Sequence, residues 1–172
     1  MNYAEIKYND VSNGPGIRTS LFVSGCTHRC HGCFNSVAWD FNYGEKYTKE
    51  TENQIIDSLK SPFIKGITLL GGEPFEPQNQ EELLILTSRI KNELPEKTIW
   101  CFSGYTIEEM TRGKLAACPT TMSLLCNIDV LVDGKFEEDK KSLMLKFKGS
   151  SNQRTILVKE TLEKGEIVLL YE

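Results

Sequence analysis

The sequence predicts an α/β fold, a partial and open β/α barrel around a mostly parallel sheet. Three observations lead to it. Short apolar runs alternate with amphipathic stretches of helical period, the pattern of a parallel sheet wrapped by helices. The chain has 172 residues, short of the ~250 that a complete eight-fold barrel uses. It carries no internal repeat and no Pro/Gly/Ser-rich linker, so residues 1–172 read as one domain, long enough to bury a real core.

Each element has its own signal. Leu21-Phe22-Val23 is a short buried strand running into Ser24-Gly25. Thr51, with Gln54 three residues on, forms a capping box that opens a helix carrying Ile55, Ile56 and Leu59. Gly66–Leu70 is a second apolar strand, stopped by Gly71-Gly72. Asn79 with Glu82 starts the next helix, whose Leu83, Leu84, Leu86, Thr87 and Ile90 line one face. Thr98–Phe102 is a third strand ending at Ser103-Gly104, and Thr106 with Glu109 caps a third helix. Ile128–Val132 is a fourth strand, ending at Asp133-Gly134. Leu143–Phe147, Thr155–Val158 and Ile167–Leu170 read as three more strands with less helix between them.

The unusual residues each follow the C-terminal end of such a strand: Gly25–Cys33, Gly71–Pro74, Ser103-Gly104 and Asp133–Lys135. Parallel α/β architectures build their sites there, so segments far apart in sequence converge on one mouth.

Composition narrows the class. The chain is 40% hydrophobic and 26% charged with a net charge of −4, which suits an ordinary globular protein and argues against a nucleic-acid binder with a broad basic surface. No apolar run approaches the ~20 residues of a membrane span. Met1–Asp10 carries both charges and no apolar core, unlike a signal peptide. The expected setting is the cytoplasm, where clustered cysteines are metal ligands or catalytic groups before they are disulfides.

Three of the six cysteines lie in one loop, Gly25-Cys26-Thr27-His28-Arg29-Cys30-His31-Gly32-Cys33, with spacing Cys-x3-Cys-x2-Cys. Thiolates are soft ligands that suit iron–sulfur clusters or zinc, and both normally take four ligands. Three cysteines leave one iron of a cubane without a protein thiolate, and an open coordination position is what a catalytic metal keeps. The alternative is a structural zinc site with His28 or His31, the only two histidines, as fourth ligand. Against it, no second cysteine knuckle follows. Cys101, Cys118 and Cys126 are scattered and read as small core residues.

The cysteine loop after a first strand resembles the signature of the radical S-adenosylmethionine superfamily. Gly71-Gly72-Glu73-Pro74 resembles that superfamily's segment for the methionine amino group. Asn13-Gly14-Pro15-Gly16-Ile17-Arg18, with Phe22 and Gly25-Cys26, is similar to the activating enzymes of glycyl radical enzymes. Within them, Leu21–Cys26, Gly32-Cys33-Phe34-Asn35, Trp39, Asp129–Gly134 and Asn152-Gln153-Arg154 resemble the branch serving anaerobic ribonucleoside-triphosphate reductase. The likeness runs from Tyr8 to Val158 with the motifs in order. Asn13 stands where many relatives have Asp, Phe34 where Tyr or His is common, and Lys135 where Pro is frequent. These departures bear on the subfamily more than on the chemistry.

The resemblance implies a partial barrel of the radical S-adenosylmethionine type. It implies one [4Fe–4S] cluster on Cys26, Cys30 and Cys33. S-adenosylmethionine would be bound by Gly32, Cys33, Phe34, Gly71, Gly72, Glu73, Ser103 and Asp133. Reductive cleavage of that cofactor to a 5′-deoxyadenosyl radical would activate a glycine of the partner reductase, with flavodoxin or ferredoxin as electron donor. No side chain beyond cluster and cofactor is then expected to be catalytic. Gly71 and Gly72 would let the backbone approach the ligand, Glu73 would meet its ammonium, and Phe34 would pack near the adenine. Arg18 and Arg154 read equally as pocket residues or solvated ones, and His28 and His31 as exposed loop residues. Two alternatives stay open, an activase of formate-lyase type and a zinc-binding adaptor without catalysis. The chain's length and the lack of a second cysteine-rich insert argue against the first, and metal content separates the second.

Overall fold

The computed structural model describes residues 1–171. Its elements in chain order are β1 (Asn2–Asp10), β2 (Ile17–Val23), β3 (Glu45–Lys46), α1 (Lys49–Leu59), β4 (Ile64–Gly71), α2 (Pro77–Glu93), β5 (Thr98–Ser103), α3 (Ile107–Thr111), α4 (Thr121–Asn127), β6 (Val130–Asp133), β7 (Arg154–Leu157) and α5 (Val158–Lys164). The strands form one open sheet in the order β3-β1-β2-β4-β5-β6-β7. Its middle, β2-β4-β5-β6, is parallel, and its outer pairings are antiparallel. The parallel centre follows from the strand–helix alternation, since a parallel neighbour needs a crossover.

Strand alternation sorts the side chains onto two faces. Leu21, Leu69, Cys101 and Leu131 lie side by side in the central register and pack with Ile55, Ile56 and Leu59 of α1, Leu83, Leu86 and Ile90 of α2, and Leu124 and Leu125 of α4. Burying each such Leu or Ile is worth about 1.5–3 kcal/mol. Cys101 belongs to this core, as expected. Cys118 is half-buried beside Gln80, and Cys126 is exposed, so neither is a core residue.

The opposite face carries Ser20, Thr68, Trp100 and Val130 in the next register row. Trp100, Val130 and Val132 make a second apolar cluster with Phe102, Phe147 and Leu170. Arg18 is wholly buried here. It donates to Thr68 Oγ1 at 2.8 Å, to the Ile67 carbonyl at 2.7 Å and to the Thr98 carbonyl at 2.8 Å. Its guanidinium carbon sits 5.8 Å from the Trp100 ring centre. Arg18 is therefore neither solvated nor a pocket residue but a brace across three strands, and burial lowers it to about 10. Thr68 Oγ1 in turn donates to the Asn13 carbonyl (2.7 Å), pinning the Asn13–Gly16 run.

Several boundaries differ from expectation. β1 carries no apolar run because it lies toward the sheet edge with mostly half-exposed and exposed side chains. The α1 capping box lies one turn earlier, with Thr48 as N-cap and Thr51 as N3. The helix α2 starts at Pro77, a residue suited to the first turn, which leaves Asn79 free to point inward. The Thr106–Glu109 box is as expected. Short α4 and α5 carry no side-chain cap bond and gave no signal. Leu143–Phe147 is irregular chain: Leu143 and Met144 are exposed and Phe147 takes φ 51°, so the apolar run finds no strand to pair with. Ile167–Leu170 forms a single bridge, Leu169 to Ile156. Among the described residues no helix is long and apolar enough to cross a membrane.

Candidate functional site

The cysteine loop leaves β2 and meets the Gly-Gly-Glu turn that leaves β4. Where strand pairing ends, the backbone continues it: Gly72 N–H donates to the Val23 carbonyl (2.7 Å) and Glu73 N–H to the Gly25 carbonyl (2.8 Å). Both glycines are required by this approach. Gly71 takes φ 106°, and a Cβ on Gly72 would stand 2.6 Å from the Gly25 carbonyl oxygen. Asn79 Nδ2, on α2, donates to the Ser24 and Glu73 carbonyls, both at 3.0 Å, and holds the two loops together.

Cys26, Cys30, Gly32, Cys33, Phe34, Gly71, Gly72, Glu73 and Ser103 border one cavity of about 430 Å³, a size typical of small-molecule sites. It lies at the C-terminal ends of β4, β5 and β6 and along the open sheet face, walled by Leu70, Phe102 and the irregular chain from Phe136 to Gly149. Seven of the eight residues expected to bind the cofactor sit here beside Cys26 and Cys30; Phe34, at 91% exposure, is its outer rim.

Asp133 is the residue that the structure does not bring to the wall; its neighbour Gly134 is there instead. Wholly buried, Asp133 accepts from Arg154 Nε (2.9 Å), Arg154 Nη2 (2.5 Å) and the Ile107 backbone N–H (2.9 Å). Arg154 also forks onto Glu108, at 3.0 and 2.7 Å, and holds that carboxyl down at about 2. Arg154 thus locks β7 to α3 rather than lining the pocket.

Glu73 is 1% exposed and fully engaged. Its Oε1 accepts from Ser103 Oγ and the Phe75 N–H, both at 2.8 Å, and its Oε2 from the Gly104 N–H at 2.7 Å. His28 Nε2 stands 2.8 Å from the same Oε2, its ring edge-on to Tyr105 at 4.3 Å. The His28 side chain is therefore tucked in at 5% exposure, against the exposed placement expected of it, because the Glu73 carboxylate draws it in. His31 is exposed as expected, with Nδ1 2.7 Å from Glu138.

Burial pushes the Cys26 thiol up to about 11 and also raises Cys30, where Lys135 pulls the other way. At neutral pH such thiols need a bound cation to become thiolates. Among the described residues no three Cys, His, Asp or Glu side chains close around a single ion; the three thiols stand around the cavity.

A family profile described as a 4Fe-4S single cluster domain matches residues 12–156. Three relatives are each called anaerobic ribonucleoside-triphosphate reductase-activating protein. That of Vibrio cholerae is 44% identical over 89% of this chain and 96% of its own length. The one from Escherichia coli K12 is 45% identical over 89% and 96%. The protein of enterobacteria phage T4 is 40% identical over 90% and 92%. With the cysteine loop and the Gly-Gly-Glu turn joined at one cavity, this kinship settles the family: the chain belongs to the anaerobic ribonucleoside-triphosphate reductase-activating proteins, with a 4Fe-4S single cluster domain.

Proposed function

We propose that this chain activates an anaerobic ribonucleoside-triphosphate reductase by radical chemistry. A reduced [4Fe–4S] cluster on Cys26, Cys30 and Cys33 would supply one electron to S-adenosylmethionine, releasing methionine and a 5′-deoxyadenosyl radical that takes hydrogen from a glycine Cα of the reductase. The observation that carries this reading is the convergence of three thiols and the Gly-Gly-Glu turn on one cavity at the strand ends.

The residues present fit that group. Three thiols around a roomy cavity suit a cluster better than a mononuclear ion, whose donors must lie about 2.0–2.3 Å from one point. Both histidines that zinc would recruit are already turned to carboxylates, His28 to Glu73 and His31 to Glu138. Helices on one sheet face, with the other face open at the cavity, support the partial-barrel reading of the fold.

This chain's part is binding and orientation. Gly71 and Gly72 bring backbone to the ligand, Phe34 offers an apolar face at the rim, and Leu70 and Phe102 exclude water. Glu73 meets the cofactor ammonium in this reading only by exchanging one of its four partners, and the one on a mobile side chain is His28. The partner is the glycyl radical subunit of the reductase, and a small electron-transfer protein of the flavodoxin or ferredoxin kind supplies the electron.

The test is anaerobic reconstitution with iron and sulfide, then dithionite and S-adenosylmethionine, assaying 5′-deoxyadenosine and, with reductase added, the glycyl radical by paramagnetic resonance. Product that requires cluster and reductant, with a radical on the reductase, is expected. A bound zinc ion and no cleavage would overturn the reading.

A further inference from the structure

A second buried carboxylate, outside the Gly-Gly-Glu turn and off the cavity wall, holds the cysteine loop. Glu76 precedes α2 and is 4% exposed. Its Oε1 accepts from both the Thr27 backbone N–H (2.7 Å) and the Thr27 hydroxyl (2.6 Å). Thr27 directly follows Cys26, so two charge-assisted bonds fix the loop beside its first thiol. With His28 on Glu73, consecutive loop residues are tied to two carboxylates three positions apart.

Negative charge beside a redox centre disfavours adding an electron, and burial leaves that repulsion poorly screened. Glu76, held against the residue that follows Cys26, and Glu73, held against His28, both lie beside the first half of the loop.

We propose that Glu76 is a positioning residue that clamps Thr27 and whose charge keeps the midpoint potential of a cluster on this loop low. The proposal rests on the cluster reading above. Glu76 suits the test because, unlike Glu73, it does not border the cavity.

Glu76→Gln keeps an oxygen for both Thr27 donors and removes the charge. Glu76→Ala removes both, and Thr27→Val removes only the hydroxyl donor. Parent and variants are reconstituted with iron and sulfide, and iron content, resistance to a chelator and midpoint potential are measured, the last by paramagnetic resonance across a redox titration. Glu76→Gln is expected to hold a full cluster and to shift its reduction equilibrium about tenfold toward the reduced form, about 59 mV upward for one electron. Thr27→Val should lose iron to chelator faster than the parent at an unchanged midpoint, and Glu76→Ala faster still. A full cluster with unchanged midpoint in Glu76→Gln overturns the charge role. Parent-like chelator resistance in both Glu76→Ala and Thr27→Val overturns the clamp. Failure of the parent chain itself to assemble a [4Fe–4S] spectrum overturns the cluster reading instead, so the two failures are distinct. Should Glu76→Gln not fold, Thr27→Val still decides the clamp.

Discussion

The two faces of the central sheet are made by alternate residues of the same strands, yet they are built to different ends. The helix-covered face is a continuous apolar layer from Leu21 to Leu131. The open face mixes Arg18, Ser20, Thr68 and Trp100 under irregular chain and ends in the cavity. The difference teaches that stability and chemistry are separated by side-chain parity here, not by segment. The site can be altered at strand ends while the layer beneath it stays closed.

That separation can be broken or sharpened by measurement. The largest expected effect is Cys30→Ala, which should abolish cluster uptake, read as iron per chain, while circular dichroism of the metal-free protein stays that of the parent. Loss of the fold instead would break the separation. Leu131→Ala, on the covered face, should cost about 2–5 kcal/mol in denaturant unfolding while the folded fraction still takes up a full cluster. Glu73→Ala sits on the border between the two functions. It leaves the Ser103, Phe75, Gly104 and His28 donors without their acceptor, so unfolding should show a loss of about 1–3 kcal/mol. Calorimetric titration should show weaker S-adenosylmethionine binding with the cluster retained; unchanged affinity would remove Glu73 from the site.

The smallest effect belongs to the β7 edge. Arg154 holds the folded Glu108 carboxyl at about 2, below its ordinary 4.5. A depressed carboxyl stabilises the fold above its unfolded value, and that contribution fades as pH falls from 4.5 through 2. Glu108→Gln should thus cost about 1 kcal/mol or less near neutrality, the pair being partly exposed, and the gap to the parent should close in acid. A gap that persists at the acid end would assign the effect to packing.

Sequence reasoning reached what is local. Gly66–Leu70, Thr98–Phe102 and Ile128–Val132 are continuous apolar runs because the middle of a parallel sheet is buried on both faces, and β4, β5 and β6 lie on them. The cysteine loop and the paired glycines were legible for a like reason, their spacing being contained within a few residues. The roles of Arg18, Asn79 and Glu76 depend on partners 49 to 80 positions away, and nothing in their neighbours announces that. Asn79 even carries the appearance of a helix cap. Asp133 was placed at the mouth by its position after a strand, but Arg154, reached only when β7 pairs antiparallel with β6, turns it inward. The Leu143–Phe147 run shows the converse, a strand-like composition without a neighbouring strand.

The two backbone bonds that carry the β2–β4 ladder past its end, Gly72 to Val23 and Glu73 to Gly25, have a consequence for the order of assembly. The loop that offers thiols and the turn that offers a cofactor seat come into register in one cooperative event, the closure of a forty-residue crossover between β2 and β4. A chain that has not closed that crossover offers neither half of the site. Amide exchange at Gly72 and Glu73 should accordingly follow the slow opening of the ladder rather than the fraying of a surface loop, and iron supplied during synthesis finds its seat only after β4 has docked.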